Sequence, residues 1–261
     1  MYGDILNDFT DGLYCSINMM PLFRDIVVDN ILKNKMMDII KYNTIFYVCP
    51  YVAISIVSWL LGINLTVLSM PLYLIINIVN FTRQSFFCVE MTSLVANKVA
   101  KQPAKSATID MISTVATVSF FQVAIYGLEW LINVILPSTL YLSSICSFPM
   151  LVIYHSFYCH NALWQTHGFE VSRRIDIHEK VWPYYMGYGF TGSILFLGSG
   201  NHLTMAIYNV YMIILVIIPF YNAPRFPRKN IIYPEIKLSI VSYIIKKGMT
   251  IVKYLINKLF I

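Results

Sequence analysis

Residues 157–190 read FYCHNALWQTHGFEVSRRIDIHEKVWPYYMGYGF, and the reading of that stretch decides the fold. It holds Arg173, Arg174 and Lys180, Glu170, Asp176 and Glu179, and three histidines, His160, His167 and His178, between two long apolar blocks that are almost free of charge. It reads as a basic connector ending in Trp182-Pro183-Tyr184-Tyr185, an aromatic belt at the mouth of a membrane segment. Proline at the first helical position suits its fixed φ and missing N–H. Gly187 and Gly189 then let that helix pack closely or bend.

Composition agrees. Of 261 residues 57% are hydrophobic and 12% charged, and the mean hydropathy is +0.64, which leaves too little polar surface to cover a soluble globule. The expectation is an all-α integral membrane protein with one membrane domain. Residues 1–20 carry Asp4, Asp8 and Asp11 without a basic flank, so no cleavable signal peptide is expected.

Residues 1–41 carry Ile5, Phe9, Leu13 and Ile17 near helical spacing among six aspartates and four basic residues. They read as a cytosolic amphipathic leader, either lying on the membrane surface or solvated. From 42 to 82 there is no charge. That run exceeds the ~20 residues of one span, and Gly62-Ile63-Asn64 divides it into spans near 43–62 and 65–81, the second containing Pro71. Further spans are expected near 109–131, with Glu129 towards its far end, and near 139–160 after a turn at Pro137-Ser138. The last two are expected near 183–199 and 203–221, joined by a Gly-Asn turn. A membrane domain thus covers 42–224.

Charge placement tests this layout independently of hydropathy. All 19 Lys and Arg fall before the first span, after the second, fourth and sixth, and none elsewhere. The positive-inside rule therefore puts both termini and the long loops in the cytosol and makes three hairpins of the six helices. The same charges permit hairpins that are partly re-entrant.

In the basic amphipathic tail, residues 225–261, Val241, Ile245, Val252, Leu255, Ile256 and Leu259 share one helical face opposite Lys246, Lys247 and Lys253. That pattern suits an anionic cytosolic leaflet, with a partner groove as the alternative. No nucleic-acid pattern is present. The five scattered cysteines imply neither a disulfide framework nor a metal site; Cys88 and Cys159 lie near cytosolic membrane ends, as palmitoylation sites or inert thiols. His178-Glu179 lacks the second histidine of a zinc-protease motif, and no nucleophile elbow or phosphate loop occurs. No catalytic residue, metal or cofactor is expected. His155 reads as an interhelical hydrogen-bonding residue, and Arg173, Arg174 and Lys180 as a solvated loop.

The central stretch also resembles a known family, the etoposide-induced protein 2.4 homologues, called autophagy-related ectopic granule proteins in nematodes. The resemblance rests on Tyr158, Cys159, Trp164, Gly168, Glu170 and Arg173, then Glu179, Trp182, Pro183, Tyr184, Tyr185, Gly187 and Gly189. The family has an acidic and an arginine residue where this chain has Asn161-Ala162-Leu163. The resemblance implies a multi-pass protein of the endoplasmic reticulum that supports formation of degradative autophagosomes and links to stress or apoptosis signalling. Its partners would be the lipid bilayer and autophagy- or apoptosis-regulating proteins, with the matching residues as partner contacts. A more distant similarity to bacterial CysZ-type sulfate permeases implies the alternative, an anion permease.

Overall fold

The computed structural model describes residues 2–61, 83–98 apart from 85, 107–135, 142–198 and 202–222, with single positions and short runs between 233 and 254. Among the described residues there is no strand and 92% are helical. The second expected span at 65–81 and the Pro137 turn lie outside them.

The leader is three helices. They are α1, Tyr2–Ile17, α2, Met20–Val28, and α3, Asn30–Asn43. Pro21 opens α2, and Asp29 caps α3 by accepting from the Ile31 and Leu32 amides at 2.9 and 3.2 Å. Those two amide bonds hold its carboxyl below the usual range. Lys98 pairs with Asp25 and Asp29, each at 3.3 Å, which ties this corner to α5, residues 86–98. Through a π turn, Thr44–Val48, α3 runs on into α4, Cys49–Leu61.

The remaining elements lie close to the expected spans. They are α6, Ala107–Ile135, α7, Leu142–Thr166, α9, Trp182–Leu197, and α10, His202–Ile217, with a 3₁₀ turn to Phe220. The connector is shorter than expected, because α7 continues past residue 160 and a further helix, α8, Val171–Lys180, fills the gap. Gly168, at φ 72°, ends α7, and the Phe169 N–H reaches back to Trp164 O at 3.1 Å. This left-handed ending is the one that favours glycine.

Two helical runs, Asn30–Leu61 and Leu203–Phe220, are long and apolar enough to cross a membrane. The two differ in surroundings. α4 buries none of its residues, whereas every residue from 212 to 220 is buried in the bundle.

Neighbouring side chains fix the heights of the helices. Phe121 stacks on Phe157 at 4.0 Å, so α6 and α7 are antiparallel. Tyr47 packs with Ala206 and Met205, while Leu32, Met36 and Ile39 share a core with Met212–Ile218, so α3 runs antiparallel to α10. One end of the bundle therefore gathers the last turns of α6 and α9 and the first turns of α7 and α10. There Trp130, Ile135, Ile145, Ile194, Leu197 and Leu203 are exposed. The opposite, basal end is wrapped by α1, α3, α5, α8 and the tail. There Ile175, Ile177, Val181, Tyr185 and Val241 are buried, whereas Leu6, Tyr14, Val27 and Ile31 of the leader stay exposed.

The packing of α1 is the reverse of a water-facing amphipathic helix. Its buried stripe is Asp8, Gly12 and Ser16, while Leu6, Tyr14 and Ile17 are exposed. A Cβ at Gly12 would strike the Tyr184 carbonyl, and one at Gly187 the Phe9 carbonyl. The two backbones are in direct contact, with Phe9 also edge-on to Phe190 at 5.9 Å. Small residues at such a contact let two helix backbones approach closely.

Candidate functional site

The matching residues gather at the basal end, where α7 ends, α8 crosses and α9 begins. Spacing does the first part of the work. Ser156, His160 and Trp164 recur every four residues on one face of α7, and Arg174 and His178 do so on α8. All five are buried.

Tyr185 sits at the centre of this knot, 0% exposed. Its ring stacks on His178 at 4.9 Å and 15° and meets His160 edge-on at 4.9 Å and Trp164 at 5.4 Å. His160 also meets Tyr188 at 4.5 Å. Such ring pairs contribute ~0.5–1.5 kcal/mol each beyond burial, so the knot is a rigid joint between three helices.

Several polar groups inside it pair with one another, while the buried Asn161 Nδ2 and Trp164 Nε1 have no hydrogen-bond partner among the described residues. Arg174, read as part of a solvated loop, is buried instead: its Nε donates to Phe169 O and its Nη1 to Asn161 Oδ1, both at 2.8 Å. Asn161 thus stands where the resembled family carries charge, and it receives the guanidinium. The Ser156 hydroxyl donates to Ile153 O at 3.0 Å and lies 2.7 Å from His178 Nε2. Serine beside imidazole is the geometry of a nucleophile and its base. Here both side chains are buried, and the pair ties α7 to α8. Burial pushes the His178 pKa down to about 3, with nearby His160 adding to the effect, so the ring is neutral.

Other positions serve different ends. Tyr158 and Cys159 belong to a second cluster, where the Tyr158 hydroxyl meets Cys88 Sγ at 3.2 Å. Cys88 and Cys159 are both buried, and burial raises the Cys88 thiol to about 11, away from the reactive thiolate. Gly189 packs against α7, where a Cβ would strike the Val152 carbonyl. Pro183 lies in the first turn of α9 and Tyr184 is buried beside Tyr185. Glu170 and Arg173 are exposed, the latter 4.8 Å over the Phe169 ring. Glu179 and Trp182 turn to the tail: Glu179 accepts from the Leu238 amide, and the Trp182 indole donates to Pro234 O at 2.9 Å.

Of the motif, then, Trp164, Tyr184 and Tyr185 come together, Gly187 and Gly189 let their helix approach α1 and α7, and Glu170 and Arg173 stay outside. Sequence reasoning missed His160, His178 and Arg174, whose four-residue spacings were the available signal, and Asn161, which has no such spacing. His155, as expected, bonds between helices, to Ser193 at 3.0 Å and Tyr208 at 2.8 Å.

The tail departs from expectation. Leu238, Val241 and Ile245 do not face outward but join the core of Val118, Phe121, Ile175, Ile177 and Val181. Val252, Leu255, Ile256 and Leu259 lie outside the described residues. Among those described, no group of three or more His, Cys, Asp or Glu is placed to hold a metal ion.

No family model matches the chain, and no solved structure matches it. It is 32% identical over 244 residues to uncharacterized protein L211 of Acanthamoeba polyphaga mimivirus, covering 93% of this chain and 92% of that protein. Similarity at that level along nearly the whole length of both proteins means that the chain belongs to the family of protein L211.

Proposed function

We propose that the protein is a multi-pass membrane scaffold of the endoplasmic reticulum that shapes or organises the bilayer during formation of degradative autophagosomes, with a link to stress or apoptosis signalling. The observation that carries the membrane reading is α4, a helix with no buried residue over Cys49–Leu61. The basic connectors favour a cytosolic charged basal end and cytosolic termini. α4, in the run Asn30–Leu61, is the helix proposed to cross. The α6–α7 and α9–α10 hairpins enter by their exposed apolar ends, and at 16 residues, about 24 Å, α9 is shorter than the ~30 Å core. A wedge of that shape in one leaflet suits membrane shaping. The cellular role rests on the resemblance carried by the 158–189 motif.

The basal knot favours the scaffold over an anion permease, because Arg174 is buried and directs two of its donors to Asn161 and Phe169. Glu170 and Arg173 are the motif positions on the outer surface suited to a partner. Autophagic flux in cells carrying Glu170→Lys with Arg173→Glu tests this. Reduced flux at unchanged protein level and location is expected; normal flux would remove the partner-contact role. Cysteine labelling at positions 63, 138 and 200 tests the topology. Labelling of 63 from the lumen alone is expected, with 138 and 200 shielded by lipid.

A further inference from the structure

Along the seam between α3 and α5 the cations are matched unevenly. The two helices run antiparallel: Gln84, just before α5, donates to Asn43 Oδ1 at 2.8 Å, Glu90 pairs with Lys35, and Lys98 pairs with Asp25 and Asp29 at the α2–α3 corner. Lys35 and Lys98 thus have carboxylates. Among the described residues Arg83, at the end of the seam nearest α4, pairs with none. It is exposed and holds its guanidinium 4.8 Å over the Phe87 ring. That ring is itself fixed, buried and edge-on to Tyr42 at 5.4 Å, and Tyr42 stacks on Phe46 at 4.3 Å. The neighbouring Gln84 is tied through Asn43, whose amide donates to Ile39 O at 2.9 Å. The cation is therefore held on an aromatic platform and presented outward.

Its height in the molecule names the counterion. Lys41 and Arg83 bracket a charge-free run, residues 42–82, and the π turn Thr44–Val48 marks where the partly buried α3 becomes α4, which buries none of its residues. Lys41 is exposed in the same turn of α3 as Tyr42, and Ile45, 59% exposed, stands four residues further along the same face. Cations at one level and bare apolar surface at the next match a molecule with an anionic head and apolar chains. Inorganic phosphate matches only the first.

We propose that the Arg83 corner binds the phosphate of an anionic phospholipid at the point where α4 enters the bilayer. This rests on the membrane reading of α4 above. The guanidinium offers a fixed fork of N–H donors to phosphate oxygens, Lys41 adds a second cation, and the acyl chains lie along Ile45 and α4. The leaflet supplies the negative charge that the seam lacks at this level. Arg83 thereby sets the depth of α4 in the membrane.

The test is native mass spectrometry of the full-length protein released from micelles and titrated with phosphatidylserine or phosphatidylcholine. Tighter binding of phosphatidylserine is expected, weakened about tenfold by Arg83→Gln, the size of one charge-assisted contact, and largely kept by Arg83→Lys. Arg24→Gln removes another exposed cation of the leader and should change nothing. Unchanged binding in Arg83→Gln, or an equal loss in Arg24→Gln, overturns the site. Glycerophosphoserine at the same concentration should not displace the lipid; displacement would assign the corner to free phosphate esters and overturn the lipid. Because Arg83→Gln also loses the Phe87 contact, wild-type protein in nanodiscs carrying a photoreactive phosphatidylserine gives a reading that needs no variant. Adducts within residues 41–46 and 83–87 are expected, and adducts confined to other segments overturn the site. A chain that does not enter nanodiscs overturns the membrane reading, whereas one that enters and shows no preference for phosphatidylserine overturns the site alone.

Discussion

The two ends of α9 have similar apolar content and opposite surroundings. From Pro183 to Gly189 the helix is buried, Met186 excepted, and meets α1, α7 and α8. Near its other end Ile194 and Leu197 are 50% and 65% exposed. α10 repeats the contrast, with Leu203 and Ile207 exposed and everything from Met212 to Phe220 buried. The helices change environment along their length. In α9 and α10 the apolar residues of the basal end pack against protein, where shape decides, and Ile194, Leu197, Leu203 and Ile207 at the other end are exposed.

The contrast predicts a steep gradient of mutational cost. Trp164→Ala, in the basal knot, should cost about 4 kcal/mol of stability in micelles through loss of packing. A cost below about 1 kcal/mol would mean that the knot is not a joint. Gly187→Ala should follow at about 3 kcal/mol, because its Cβ has the Phe9 carbonyl to displace and backbone cannot step aside. Thermal unfolding checks both, and crosslinking between α1 and α9 separates local undocking from global loss.

Acid sharpens the contrast further. His178 has a folded pKa of about 3 against an ordinary 6.5, so the unfolded chain binds the extra proton. Its stabilisation is complete above pH 6.5, falls with acidification and is exhausted near pH 3. Between pH 7.5 and 5 the loss should be about 2 kcal/mol. His178→Phe should flatten that part of the profile, and an unchanged slope would show that other groups govern it. At the exposed end, Ile194→Ser with Leu203→Ser should change stability in micelles by less than about 0.5 kcal/mol while reducing co-flotation with vesicles. A large loss of stability there would erase the distinction between the two ends.

Charge-free runs and turn residues made most helices readable, since α6, α7, α9 and α10 begin within a few residues of their expected positions. Other features were hidden for identifiable reasons. Apolar periodicity in the tail marks a face that avoids water, and lipid and protein satisfy it equally, so the docking of Val241 and Ile245 could not be read from spacing. Arg174 carries no mark that separates it from Arg173, yet Asn161 and Phe169 take one guanidinium inward while Phe169 stacks beneath the other. In α1 the buried stripe is Asp8, Gly12 and Ser16, so the rule that apolar residues mark the inside points the wrong way.

The Gly12 contact with Tyr184 joins residues about 170 positions apart. At roughly 5–20 residues per second of synthesis, α1 leaves the ribosome on the order of 10–30 s before its docking partner exists. During that interval Asp8 and Ser16 must remain hydrated or be sheltered by another protein. Assembly is thus timed by the last third of the chain, and a stall in translation before α9 would strand the N-terminal helix with its Asp8, Gly12 and Ser16 stripe undocked.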